Sequence, residues 1–331
     1  MIRNATQIDN GVKKVCDKEI ERYISAPRLR SYEKIIKNKT PKNLIAAYAW
    51  NKHVSSAIYP IIQCLEISLR NALHEAASIH FGTKDWYEPA LKYGGDNKFI
   101  AEHKKFTAKY YRKSAGYKKE KGKKAWVSNH ESMLKRAQNQ LTNSGKSPTP
   151  DAIVSETMFG FWVSFFEVAY TDKDPKKSLW PHITSDVFKN NKRLDRKSVQ
   201  AMLLSLKELR NRLSHHEPIW KNSAVQNDED AIKFLHERVE DAMTIIRGIS
   251  EDRYRQFVAS GQLSYFKGIC SKNTLRRYLK GNSEVTVDKR KLKRLTVKSL
   301  KQPQVEPIVL SVKGVPKIII DLWPGCGVNT Y

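Results

Sequence analysis

Within the run Leu206-Lys207-Glu208-Leu209-Arg210-Asn211-Arg212-Leu213-Ser214-His215-His216-Glu217-Pro218, three residues stand at a spacing that could do chemistry: Arg210, Asn211 and His215. On a helix, Asn211 and His215 are four apart and share a face, so the amide can orient the imidazole. Arg210 falls at the edge of the leucine stripe beside that face. Cutting an RNA phosphodiester means taking a proton from a 2′-hydroxyl and steadying negative charge on a crowded phosphate. An imidazole with an ordinary pKa of about 6.5 suits the first task. A permanently charged, forked guanidinium suits the second. This scheme needs no metal and no cofactor. A plainer reading stands beside it, because His and Arg favour the negative end of a helix dipole. His216 and Arg212 can do that alone, and His216 is otherwise placed as a supporting residue. Arg-Asn-x-x-x-His is a short pattern and by itself decides neither reading.

An RNA-cutting site needs elements that deliver a polyanion, and the charge distribution offers two. The chain carries a formal net charge of +26. Residues 92–147 hold fifteen Lys and Arg against four Asp and Glu, and residues 253–301 hold fourteen against two. A nearly neutral body thus bears two basic attachments, which read as nucleic-acid surfaces. Solvated faces or an anionic membrane contact are the alternatives. In the first attachment, Phe99, Phe106, Tyr110, Tyr111, Tyr117 and Trp126 interleave with Lys104, Lys105, Lys109, Arg112, Lys113, Lys118, Lys119 and Lys123. Rings that stack on unpaired bases beside cations that neutralise phosphates suit single-stranded or looped RNA. Rings facing a core at helical spacing would give the same letters. In the second attachment, Arg276, Arg277, Lys289, Arg290, Lys291, Lys293 and Arg294 are the candidate phosphate contacts.

The elements that must position the site read as mainly α. Between Leu44 and Ala77, Ile58, Ile62, Leu65, Leu69, Ala72, Leu73 and Ala76 recur every three or four residues, with Pro60 expected at a kink or near a helix start. The insert reads as one or two helices. Phe159 to Phe166 is apolar nearly all round, as a central buried helix should be. Helices are expected from Arg196 to His216 and over residues 229–248, the first ended by Pro218. Pro307–Val312 and Lys317–Leu322 look like two short strands around Gly314, a candidate hairpin. The domain division expected is 1–250 for a helical domain with its basic insert at 92–147, then 251–331 for a basic RNA-binding extension. Cys16, Cys64, Cys270 and Cys326 are scattered, so neither a zinc site nor a disulfide framework is indicated. No stretch is long and apolar enough to span a membrane, and Met1 to Thr6 lead into no secretory core, so a cytoplasmic protein is expected.

Ser25-Ala26-Pro27-Arg28-Leu29-Arg30-Ser31-Tyr32, then Ala46-Ala47-Tyr48-Ala49-Trp50-Asn51, then Leu65-Glu66-Ile67-Ser68-Leu69-Arg70-Asn71 resemble, in this order, the N-terminal half of the Abi-like (abortive infection) family. The Phe161-Trp162 helix and the Arg-Asn-x-x-x-His-His-Glu-Pro segment resemble its C-terminal half. The likeness covers about residues 22–250 apart from the insert, and the region after 251 shows none. It implies the HEPN superfamily fold, an antiparallel helical bundle, and a metal-independent endoribonuclease used as a toxin against phage-infected cells. The family's Arg, Asn and first His fall on Arg210, Asn211 and His215.

HEPN nucleases usually build one site from two facing motifs. Here Arg70-Asn71-Ala72-Leu73-His74 has one residue too few between Arg and His, so a homodimer pairing two copies of Arg210 and His215 is expected. Such a toxin needs a restraint, and the localised charge makes a small structured RNA a candidate beside a protein antitoxin. Glu66 and Arg70 are spaced as a helical ion pair that either braces the bundle or lines the cleft. Trp50 and Asn51 read as packing and capping residues, and His53, His74, His80 and His103 have no evident partner. Two other functional classes remain: an RNA-binding scaffold in which the motif only stabilises a helix end, and an effector at anionic membranes.

Overall fold

A computed structural model describes residues 21–94, 117–120, 123–126, 129–191, 193–280, 290, 294, 297, 308–310 and 318–320. The architecture is mainly α. Its helices are α1 (Ala26–Arg30), α2 (Pro41–Phe81), α3 (Tyr87–Tyr93), α4 (Asn129–Asn143), α5 (Pro150–Glu156), α6 (Phe159–Ser164), α7 (Thr184–Val187), α8 (Arg196–Ser214), α9 (Asp228–Ile249), α10 (Glu251–Ala259), α11 (Gln262–Ile269) and α12 (Lys272–Lys280). The chain forms two compact units. One comprises Met1–Ile61, Leu209–Glu240 and Gln256–Tyr331; the other comprises Ile62–Glu208 and Asp241–Arg255.

In the first unit, the early turns of α2 bury Trp50, Val54, Ala57, Ile58 and Ile61 on one stripe, as 3.6-residue spacing dictates. Pro41 opens the helix where a missing N–H does no harm, and the Thr40 hydroxyl accepts from the Asn43 N–H at 3.3 Å. Pro60 lies inside α2, which runs on through it to Phe81. Against the stripe pack Leu29, Tyr32 and Trp220, with the Trp50 and Trp220 rings 5.2 Å apart and the Tyr32 and Trp220 rings edge to face at 5.7 Å. Phe266, Ile269 and Leu275, from the segment beyond residue 250, are buried in the same unit.

The second unit is built on aromatics. Phe159, Phe161 and Trp162 of α6 are buried, as the all-apolar run required, along with Trp86, Phe165, Phe166 and Trp180. The Trp180 indole donates to the Phe165 carbonyl at 2.7 Å. Leu65, Leu69 and Leu73 of α2, with Leu203 and Leu206 of α8, complete this core.

Two antiparallel hairpins complete the described residues. β1 (Tyr117–Glu120) pairs with β2 (Lys123–Trp126), and β3 (Ile308–Leu310) with β4 (Ile318–Ile320). The second hairpin matches the strands read around Gly314. The first corrects the expectation of helix through that part of the insert. The described strands pair Glu120 with Lys123 in register, and a run of lysines repels itself at helical spacing. The rest of the insert lies outside the described residues. Among those residues, no helix is long and apolar enough to cross a membrane.

Candidate functional site

Helix α8 brings the Arg-Asn-x-x-x-His residues to its C-terminal end. Asp195 caps the start, its carboxylate accepting from the Lys197 N–H at 2.7 Å and the Ser198 N–H at 3.0 Å. The Ser198 bond foremost holds that carboxyl below the usual carboxylate range. Val199, Leu203, Leu206 and Leu209 are buried, which fixes the helix's roll and leaves Arg210 half-buried and Asn211 exposed.

The helix stops two residues short of the expected His216. The His216 N–H donates to the Leu213 carbonyl (3.3 Å) and the Glu217 N–H to the Arg212 carbonyl (3.0 Å), with His216 left-handed at φ 55°. This is a Schellman ending, and α2 and α4 close in the same way. Their left-handed residues are Gly82 and Gly145, whereas here the position is held by a histidine. His215, one residue past the last helical turn, is exposed, and its N–H still bonds the Asn211 carbonyl at 2.9 Å. Among the described residues, no hydrogen bond or ion pair involves the Arg210 guanidinium, the Asn211 amide or the His215 imidazole. All three are therefore available to a ligand, and the amide of Asn211 does not hold the ring of His215 in this state.

The turn that follows is held from outside α8. The Asn51 amide, on a residue only 3% exposed, donates from Nδ2 to the Tyr32 hydroxyl (3.2 Å) and the Glu217 carbonyl (3.4 Å), while its Oδ1 accepts from the Ile219 N–H (3.2 Å). Asn51 thus does not cap a helix; it sits inside α2 and clamps a distant turn. The Tyr32 hydroxyl is pushed above its ordinary pKa, first by burial and then by neighbouring Tyr48. Exposed Arg28 donates from Nη1 to the His216 carbonyl at 3.3 Å. The Glu217 carboxylate pairs with Arg212 at 3.4 Å and Lys221 at 3.5 Å.

The other Arg-Asn segment is differently engaged and lies in the second unit. Arg70 donates to the Ser155 carbonyl at 3.4 Å, and its buried Nε has no hydrogen-bond partner. Half-buried Glu66 lies one turn earlier on α2. His74 accepts the Trp86 indole proton on Nδ1 at 2.9 Å and turns Nε2 toward Asp151 at 3.9 Å. Burial, the leading cause, lowers its pKa. A ring whose lone pair is occupied in this way is not a free base. The partners unseen in sequence also include the Tyr278 and Tyr265 hydroxyls on His53, at 2.6 and 2.8 Å, and the Pro175 and Ser178 carbonyls on His80, at 2.8 and 2.9 Å.

Of the expected RNA contacts, Lys118 and Lys119 lie on β1 and Lys123 on β2, where Lys119 pairs with Lys124 in register. Arg276 is exposed and Arg277 half-buried on α12, and Arg290 and Arg294 are helical and exposed. Lys104, Lys105, Lys109, Tyr110, Arg112, Lys289, Lys291, Lys293 and His103 lie outside the described residues. Among the described residues, no cluster of three or more His, Cys, Asp or Glu could hold a metal ion.

The family model described as Abi-like protein matches residues 19–221, well over half of the 331-residue chain. No curated protein and no solved structure matches. The matched span takes in Arg28, Tyr32 and Asn51 as well as Arg210, Asn211, His215 and the turn to Ile219. By that match the chain belongs to the Abi-like protein family.

Proposed function

We propose that this protein is a metal-independent endoribonuclease of the HEPN type, acting in abortive infection. The observation that carries the reading is the state of α8's end. There an exposed imidazole and a half-buried guanidinium stand five residues apart, and neither has a partner among the described residues. Unpaired Arg at such a place is unusual for a purely structural role, since an architectural guanidinium would be expected to hold carboxylates or carbonyls, as Arg212 and Arg28 do.

In this reading His215 removes the proton from a ribose 2′-hydroxyl, whose oxygen attacks the adjacent phosphorus. The bond from phosphorus to the 5′-oxygen breaks, that oxygen takes up a proton, and a 2′,3′-cyclic phosphate remains. Arg210 steadies the charge gathering on the phosphate oxygens. The step needs both a base and an acid, and the ring of His74 is engaged by Trp86, so a homodimer that brings two His215 side chains together supplies the pair. Membership in the Abi-like family fits an abortive-infection role, with a small structured RNA or a protein as the restraint. The exposed cations Arg276, Arg290 and Arg294 suit the holding of RNA.

Purified protein in excess EDTA is expected to cleave RNA, and His215→Ala to abolish cleavage while keeping RNA affinity. Charge reversal across Lys289 to Arg294 should weaken binding and leave the cleavage step unaltered. A second reading is favoured by the Glu217 ion pairs and the Schellman ending, which give the motif a role in closing α8. If wild type and His215→Ala both bind and neither cuts, the protein is an RNA-binding scaffold.

A further inference from the structure

We propose that Asn51 is a positioning residue of this site, setting the direction in which the end of α8 presents His215. The proposal rests on the reading of His215 as the acid–base group. Asparagine inside a helix is a poor helix former, and burying its amide is unfavourable unless its polar atoms find partners. At position 51 they do. The nitrogen donates to the Tyr32 hydroxyl and the Glu217 carbonyl, and the oxygen accepts from the Ile219 N–H.

Those two backbone groups flank Pro218, which has no N–H of its own, so the amide grips the turn through both of its free peptide groups. A carboxamide donates to one and accepts from the other through two separate atoms, with a second N–H left for Tyr32. Aspartate would keep the acceptor and lose the donor while burying a charge, and glutamine is a methylene longer. The Glu217 carbonyl, which can only accept, and the Ile219 N–H, which can only donate, decide which way round the amide sits, and the Tyr32 hydroxyl takes the nitrogen's other proton. Neighbouring positions Trp50, Val54 and Ile58 are filled with apolar side chains at no such expense. A core built for stability alone would have one here too.

The turn needs the grip. It leaves α8 through a left-handed histidine, a conformation disfavoured by about 1 kcal/mol for a residue with a Cβ. His215 has no side-chain partner to steady it among the described residues. Its placement therefore depends on the backbone between Ser214 and Ile219, fixed at the near end by α8 and at the far end by Asn51. Arg28, on the His216 carbonyl, restrains the middle. A displacement of about 1 Å at a reacting group lowers rate by about a hundredfold.

The test uses the full chain with Asn51→Ala, Tyr32→Phe and, as a control in the same unit, Leu235→Ala on α9. The readouts are kcat and KM for RNA cleavage in EDTA, and the 15N resonances of the histidine rings. Asn51→Ala is expected to lower kcat by about 10- to 100-fold with KM little changed. Tyr32→Phe, which keeps the ring packing, should lower kcat less and also spare KM. Leu235→Ala should lose melting temperature yet keep kcat per folded molecule. If Asn51→Ala does not fold, Tyr32→Phe carries the test. Equal kcat per folded molecule in all the variants overturns the proposal. If the wild type does not cut RNA, the functional reading fails, and the resonances alone decide the positioning. Asn51→Ala or Tyr32→Phe must then move or broaden the His215 signals while Leu235→Ala leaves them, and unmoved signals overturn it.

Discussion

The buried Trp50 indole donates its proton to the main-chain carbonyl of Ile269 at 3.0 Å, joining residues 219 positions apart in sequence. The same unit ties α9 to the C-terminal segment through His236 Nε2 and the Cys270 carbonyl, 2.9 Å apart, and through the Lys272–Glu229 ion pair. Cutting the chain after residue 250 would expose Trp50 and remove Phe266, Ile269 and Leu275. Each of those side chains is worth about 1.5–3 kcal/mol of burial, against a total stability of about 5–15 kcal/mol. The 1–250 fragment is therefore expected to lack cooperative thermal unfolding and to be rapidly proteolysed, whereas 1–280 retains the transition. A sharp transition in 1–250 would show that α11 and α12 are dispensable to the unit.

His216 occupies, at the end of α8, the left-handed position that Gly82 and Gly145 fill at the ends of α2 and α4. Glycine reaches that conformation without the Cβ clash, and His216→Gly is expected to stabilise the protein by about 0.5–1 kcal/mol. Chemical denaturation compared with wild type checks this. A loss of stability would mean that the His216 side chain makes contributions that outweigh the strain. Cleavage measured alongside tells whether the second histidine serves only the turn.

Acid should weaken the second unit through His74. Its pKa is lowered by burial, so the unfolded chain binds a proton more readily than the folded one. The stability gained by keeping the ring neutral is whole above about 6.5, the ordinary histidine value. It is lost as the pH falls through and below that point. Asp195, held low by the Ser198 N–H, acts only in a separate window below about 4. The urea midpoint of wild type is thus expected to fall between about pH 7 and pH 5. His74→Asn, which keeps an acceptor for the Trp86 indole, should fall less steeply. Parallel lines for the two proteins would remove His74 as the cause.

How much of this could be read from letters follows from the range of each interaction. The leucine stripe of α8 is periodic and the apolar run of α6 is continuous, and both patterns survive in one dimension. Pro218 and Glu217 announce the helix's end, but the last two residues go to a Schellman turn whose left-handed position is uncommon for a residue other than glycine. The site residues were legible as a spacing. Their availability was not, because it is a statement about what every other side chain does instead. Asn51 looked like a capping residue since its partners lie 166 and 168 positions away. Side-chain bonds to distant backbone leave no period in the sequence. The same is true of His53 and its two tyrosines, 212 and 225 positions on.

Arg210 and Arg212 differ by two positions and carry the same group, so they separate the catalytic reading from the architectural one. Arg212 is engaged by Glu217 at 3.4 Å, and Arg210 has no partner among the described residues. Lysine keeps the charge but loses the planar fork that meets two phosphate oxygens at once. Arg210→Lys is accordingly expected to lower kcat for RNA cleavage by about 10- to 100-fold with KM little changed, because the fork matters most as charge builds on the phosphate. Arg212→Lys should still reach Glu217 and leave kcat near wild type, with a stability change of about 1 kcal/mol at most. Single-turnover rates on one RNA substrate compare the two directly. If both replacements reduce the rate alike, the phosphate is not met by Arg210 in particular, and the charge of the helix end acts as a whole.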